Sequence, residues 1–256
     1  MGTKVKLLAA AALVLTLTAL PLAGFAQEVR PAENWREPLR PLYEQAQALR
    51  TRRAELAGQV RAQHQANAEI HAEIRAIVEA ELQEIKALAT ELQAFVEGQI
   101  RPLRQQAASL REALAQAIRA QNRELARSLR AGLAGVMEQL NALQAQAREL
   151  QDQLHALRQA AAPKLESVRQ MRLLLEALRD QAREILDETQ SVRADLQEEL
   201  EKLRGHASKQ QVQACEQSLE RIIAYENQLI ELNQQLLALE QQAEQILEDA
   251  LSQLQG

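Results

Sequence analysis

Aromatic residues, glycine, proline and cysteine are all scarce in this chain of 256 residues. Aromatic side chains make up 2% of the sequence, which has eight glycines, six prolines and one cysteine. Few aromatic residues leave little material for the core of a thick globular domain, and few glycines and prolines leave few turns. The single cysteine, Cys215, cannot close a disulfide within the chain, so we expect it to be buried and inert or paired between chains.

Sequence motifs that carry catalysis are missing as well. The sequence has no Ser/His/Asp grouping, no glycine-rich phosphate loop and no CxxC pair, so nucleophilic, nucleotide and redox chemistry have no support. We therefore expect a protein that is not an enzyme and binds no cofactor. The formal charge of −5 argues against nucleic acid as a partner. His64 and His71 lie seven residues apart, and because closer ligand spacing suits a metal on a helix better, we predict no metal site.

Residues 1–26 have the pattern of a secretory signal peptide. Lys4 and Lys6 precede an apolar run, and the small residues Ala23, Gly24 and Ala26 provide a cleavage site. The sequence therefore predicts an exported protein, periplasmic or extracellular after cleavage. The alternative is a retained membrane anchor, because the run approaches the ~20 residues that a membrane span needs.

The next segment, residues 27–41, is rich in proline around Trp35 and predicts an irregular N-terminal arm. Residues 42–204 then predict long coiled-coil helices, because apolar residues recur in alternating steps of three and four and so form a seam with a seven-residue repeat. The clearest members of this seam are Leu133, Val136, Leu140, Leu143, Ala147, Leu150, Leu154, Leu157 and Ala161, followed by Val168, Met171, Leu175, Leu178, Ala182, Ile185, Thr189, Val192 and Leu196. The spacing is kept across Pro163, which predicts a kink near residue 163 and not a turn.

Two reversals of the chain are predicted from glycine and capping residues. A turn near 98–101 is expected because Gly98 suits the end of one helix and Pro102 the start of the next. Gly205 and Ser208 predict the second reversal, followed by a C-terminal acidic amphipathic helix over 208–256.

Together these elements predict the all-α class, with elongated antiparallel coiled-coil hairpins built on one long kinked central helix. The two flanking helices together match the central helix in length, so both could fold back on it. This arrangement would bring Leu42 and Leu254 close to residues 157–163. It would also pair the acidic segment 69–99 with the basic segment 101–130, as opposite charges along coiled-coil edges favour.

Two surfaces are candidates for binding. The C-terminal helix has more apolar residues than one seam needs, and its extra stripes predict an interaction surface formed by Leu232, Leu239, Ile246, Ile223, Ile230 and Leu237. A second stripe, formed by Arg119, Arg123, Arg127 and Arg130, is a candidate for binding phosphate, acidic polysaccharide or anionic lipid. The competing interpretation is that these arginines pair with glutamates of the first helix.

The function that these patterns favour is an exported, non-enzymatic coiled-coil protein that works as a scaffold, spacer or adaptor through helix–helix contacts. Its expected partner is a second copy of the chain or another protein. A holdase-like periplasmic chaperone or a lipid-surface binder is the alternative, although the sequence does not itself support a membrane partner. A metal-responsive helical hairpin is a third hypothesis, motivated only by His64 and His71.

Overall fold

The computed structural model describes residues 34–255, and this part of the chain is all-α, as predicted. The predicted signal peptide and residues 27–33 of the predicted arm lie outside the described residues. A 3₁₀-helix at Asn34–Leu39 leads into α1 (Arg40–Phe95), a π-helical turn (Val96–Ile100), α2 (Arg101–Arg119), α3 (Arg123–Ser208) and α4 (Val212–Gln255). The end of the predicted irregular arm is therefore helical, because Pro41 stands in the first turn of α1, where its missing N–H is not needed.

The predicted turn near 98–101 is wrong, because the chain stays helical from α1 into α2. The Arg101 N–H donates to the Val96 carbonyl, five residues earlier, which is the wider spacing of a π-helix. Pro102 follows at once, and it has no N–H for a regular helical bond and would crowd the preceding turn. The π-helical turn accommodates the proline without a reversal. Gly98 keeps an ordinary helical φ, since none of the described glycines has a positive φ.

The first reversal lies at residues 120–122 instead. Gln121 has a φ of 55°, the Asn122 N–H donates to the Ala117 carbonyl, and the Gln121 N–H donates to the Ile118 carbonyl, both at 3.0 Å. These bonds form a Schellman motif at the end of α2. Asn122 then caps α3, because its Oδ1 accepts a hydrogen bond from the Leu125 N–H at 3.1 Å.

The second reversal repeats this motif at residues 209–211, a few residues after the predicted position. Gln210 has a φ of 55°, and the Gln211 N–H donates to the His206 carbonyl at 3.1 Å. Gly205 lies inside α3. In both reversals a glutamine takes the left-handed conformation that glycine adopts more easily, and this choice costs roughly 1 kcal/mol.

The helices form two compact units. The three-helix unit contains residues 34–72 and 171–251, from α1, α3 and α4. The second unit contains residues 73–170 and 252–255, with the first reversal inside it. We call it the two-helix unit, because the chain that stays helical from α1 into α2 pairs there with α3. Each unit has its own pattern of contacts.

Within the three-helix unit, α4 is parallel to α1 and antiparallel to α3. The pairs Arg50–Glu226 and Asn67–Glu240 rise together in residue number along α1 and α4. The pair Ser218–Glu199 shows the opposite trend when it is compared with Gln228–Glu188. The apolar core joins all three helices and consists of Ala46, Val192, Leu196, Leu200, Ile222, Leu229 and Leu232.

A second cluster at one end of this unit contains Leu39, Cys215 and Leu219, with Leu42, Ala207 and Val212 packed around it. Leu42 therefore lies beside the second reversal, and its predicted place near residues 157–163 is wrong. The error follows from the turn near 98–101, since a helix that continues to Arg119 shifts every pairing of α1 with α3. The predicted pairing of the acidic segment 69–99 with the basic segment 101–130 is wrong for the same reason.

Within the two-helix unit, the chain segments before and after the first reversal pack antiparallel. Lys164 Nζ lies 2.6 Å from Glu81 Oε1, and Arg111 Nη2 lies 3.4 Å from Met137 Sδ. The end of α4 belongs to this unit, and there the Ser167 hydroxyl donates to Gln253 Oε1 at 2.6 Å.

The predicted seam of α3 is confirmed by burial. Every one of its members from Leu133 to Leu196 is buried or half-buried. Pro163 lies inside α3, which continues as one helix across it; the kink predicted there stays a prediction. No helix within residues 34–255 is long and apolar enough to cross a membrane.

Candidate functional site at the hairpin tip

The first reversal and the helix ends beside it form what we call the hairpin tip, residues 116–130. Two small seam residues close the helix pair here: Ala117 is 4% exposed and Ala126 is 8% exposed. Alanine lets the two helices approach closely but buries little apolar area. The seam therefore ends at the tip with small residues on both helices.

Two larger apolar side chains of the tip remain exposed. Ile118 is 51% exposed and Leu125 is 47% exposed, and each stands one position outside the seam, next to Ala117 or Ala126. Full burial of an isoleucine or leucine side chain contributes roughly 1.5–3 kcal/mol. Because each side chain is about half exposed, about half of this stabilising free energy is not gained at each position by folding of the chain alone. The tip therefore presents apolar surface that the fold does not need.

The predicted arginine stripe surrounds these apolar residues. Arg119 and Arg123 flank the reversal, and Arg127 and Arg130 follow on the exposed side of α3. All four are exposed, and none forms an ion pair in the part of the chain that the structure describes. The competing prediction, that they pair with glutamates of the first helix, is wrong because α1 does not fold back beside them.

The tip has a charge opposite to that of the whole chain. Residues 116–130 contain these four arginines and a single acidic residue, Glu124, which gives a formal charge of +3 in a chain of −5. Exposed guanidinium groups present planar pairs of donors that match phosphate and carboxylate oxygens. The tip therefore combines anion-binding groups with two apolar side chains.

The predicted interaction surface on α4 is largely internal to the chain. Leu232 is 3% exposed and Ile230 is 5% exposed, so the prediction of an open surface is wrong for these two residues. The other four, Leu239, Ile246, Ile223 and Leu237, are half-buried. The surplus of apolar residues on α4 arises because this helix packs against α1 and α3 at the same time, which requires a wider stripe than one seam.

A polar layer interrupts the core of the three-helix unit. Asn67 is 6% exposed, and its side-chain amide donates both to the carbonyl of Glu240 at 2.8 Å and to its carboxylate at 2.7 Å. His64 Nδ1 lies 2.9 Å from the same carboxylate. This hydrogen bond, together with the charge of Glu240, raises the pKa of His64 against the opposing effect of burial. Such polar layers fix the register of packed helices.

An open groove of about 380 Å³ lies beside this layer, lined by Gln59, Ala62, Gln63, Leu237 and Gln241. Its lining is mostly amide side chains, which offer no titrating group for catalysis. Within residues 34–255, no three or more His, Cys, Asp or Glu side chains are grouped so that they could hold a metal ion. His71 has an interaction of its own, and nothing brings it together with His64 in such a group.

Comparison with known proteins gives no family for this chain: no family model, no curated protein and no solved structure matches it. The inference of function therefore depends on the chemistry of the sites described above. Of these, the hairpin tip is the one with both charge and apolar surface left open.

The sequence predicted the arginines of the tip but not the exposure of Ile118 and Leu125. Ile118 follows Leu114 by four residues and Leu125 precedes Leu129 by four, so their spacing alone does not set them apart from the seam. Asn122 is a sequence signal for the reversal, because asparagine is favoured at the residue that caps a helix. That signal is weaker than Gly98 followed by Pro102, which pointed to the wrong place.

Proposed function

We propose that this protein is a non-enzymatic helical adaptor that contacts its partner with the hairpin tip. The observation that carries the proposal is the exposure of Ile118 and Leu125 beside four arginines without ion pairs. A helix pair selected for stability alone would place those two aliphatic side chains in the seam and alanines outside it. The reverse arrangement favours a role in binding.

The proposal includes export of the protein, which the signal-like pattern of residues 1–26 supports. It also includes the prediction of a partner protein or a second copy of the chain, bound through coiled-coil surfaces and not through the tip, with light scattering on the purified protein as the measurement of stoichiometry. The chaperone alternative is less favoured, because a client would need open apolar surface and the predicted interaction surface on α4 is buried or half-buried.

Arginine footprinting tests whether anything covers the tip. Intact cells of the source organism and the purified protein are treated with an arginine-specific dicarbonyl reagent, and modification is quantified by mass spectrometry. We expect Arg119, Arg123, Arg127 and Arg130 to be protected in cells and reactive in the purified protein. Arg52 and Arg158 are also exposed and serve as internal controls that stay reactive in both samples. Equal modification of the tip in both samples would overturn the proposal.

A further inference from the structure

We infer that the partner of the hairpin tip is a membrane surface rich in anionic lipid. This inference rests on the proposed function, and it adds the chemical class of the partner. Its basis is charge complementarity combined with apolar side chains: a tip of charge +3 carries Ile118 and Leu125 at about half exposure.

The size of the tip favours a membrane over a protein partner. A helix with its side chains is about 10 Å wide, so the end of a helix pair offers roughly 200 Å². A stable protein interface buries about 800 Å² on each partner. A lipid surface does not require a matched shape, because binding there grows with the apolar area buried and with attraction to anionic headgroups.

The arrangement of the tip matches the layers of a membrane interface. Ile118 and Leu125 flank the reversal on its two sides, so both can enter the boundary between headgroups and acyl chains. Arg119 and Arg123, which lie one residue from Ile118 and two residues from Leu125, can extend to the level of the lipid phosphates, because long cationic side chains bury their stems and keep their charged ends in the polar layer. Arg127 and Arg130, further along α3, add attraction that acts within a Debye length, about 8 Å at physiological salt.

The experiment places an environment-sensitive fluorophore at the tip of the full chain. Gln121→Cys is labelled in a Cys215→Ala background, and vesicles of phosphatidylcholine alone are compared with vesicles that contain phosphatidylglycerol. We expect a blue shift and quenching by brominated acyl chains only with the anionic vesicles, and reversal of both at high salt. A label at Gln59→Cys, in the three-helix unit, controls for adsorption through other parts of the chain.

Charge and apolar variants identify the source of the signal. Arg123→Gln/Arg127→Gln is expected to weaken the anionic-vesicle response by at least about ten-fold, and Ile118→Gln/Leu125→Gln is expected to remove the blue shift. Arg104→Gln/Arg158→Gln is the matched control, because it removes the same charge from exposed positions elsewhere in the two-helix unit. Its response should stay within about two-fold of the parent protein.

The outcomes separate the lipid inference from the proposed function. Equal responses to neutral and anionic vesicles, or tip variants that behave like the control variant, would overturn the lipid inference. If tip arginines are protected in cells while vesicles give no response, the partner is an acidic protein or polysaccharide and the adaptor proposal stands. If the tip is unprotected in cells, the adaptor proposal falls whatever the vesicles show.

Discussion

Glu226 of α4 provides the strongest test of how α1 and α4 pack. Its side chain is fully buried, with Oε1 accepting a hydrogen bond from Arg50 Nε at 3.2 Å. Oε2 lies 3.3 Å from Arg53 Nη1 but accepts no hydrogen bond, so charge attraction holds that contact. Burial lowers the pKa of Arg53, and the charge of Glu226 opposes this effect. Arg193 lies close to Arg53, and its pKa is lowered mainly by burial and further by repulsion from the charge of Arg53.

The change Glu226→Ala removes the carboxylate that Arg50 and Arg53 both contact. Loss of one partner from a fully buried ion pair costs about 3–5 kcal/mol. The arginine side chains are 25% and 21% exposed, so water can reach them and the cost falls to roughly 2–4 kcal/mol. A loss of 3 kcal/mol corresponds to a decrease in Tm of about 6–12 °C for a chain of this length.

Urea denaturation followed by circular dichroism measures this loss. Glu231→Ala is the matched control, since Glu231 is an exposed residue of α4, and its effect should stay within about 0.5 kcal/mol. Glu226→Gln keeps an acceptor for Arg50 but loses the charge, and we expect an intermediate effect. If Glu226→Ala were as mild as Glu231→Ala, the parallel register of α1 and α4 would be wrong.

Three further predictions concern the turns, the polar layer and the cysteine. Gly98→Ala and Gly205→Ala should each raise the free energy of unfolding by about 0.5–1 kcal/mol in urea melts. Both glycines lie in helices, and a Cβ added at either position meets nothing within 4 Å. A loss of stability in either variant would indicate a turn at that glycine. The pKa of His64 is raised above 6.5 by Glu240, so its stabilising contribution is complete below pH 6.5 and is lost as the pH rises through the folded-state value. In urea melts, the free energy of unfolding of the parent protein should fall between pH 6 and pH 8, and that of His64→Gln should fall less. Equal pH dependence in the two proteins would contradict the role given to His64. Cys215 is 1% exposed, and burial raises the pKa of its thiol. Its reaction with a disulfide reagent should therefore be slower by roughly two orders of magnitude in the native protein than in urea. Equal rates would show that the thiol is accessible.

The helical class and the seam of α3 could be predicted because they depend on a repeated pattern. A seven-residue repeat over many turns has one structural solution, and errors at single positions average out. The three-helix packing of α4 was also visible as a surplus of apolar residues. What the sequence could not decide was whether an internal helix or a second copy covers that surplus, since both bury the same side chains.

Turn positions could not be predicted because each depends on a few residues with competing effects. Gly98 and Pro102 each favour a helix boundary, yet one π-helical turn accommodates the proline and the long apolar repeat continues. At the true reversals, Gln121 and Gln210 adopt a positive φ at a cost that packing of the adjacent helices offsets. The location of the arginine stripe at a tip follows from this turn, and so it was missed as well.

The chain reverses at residues 120–122, and this reversal places the arginines at a tip. Spin labels at Arg111→Cys and Met137→Cys, in a Cys215→Ala background, test it by pulsed electron paramagnetic resonance. Arg111 contacts Met137 across the hairpin, and adjacent helix axes lie about 8–10 Å apart, so we expect a short distance of roughly 10–20 Å between the labels. If the turn lay near 98–101, the two labels would stand 26 residues apart on one helix, at about 39 Å. That longer distance would contradict the hairpin and the site built on it.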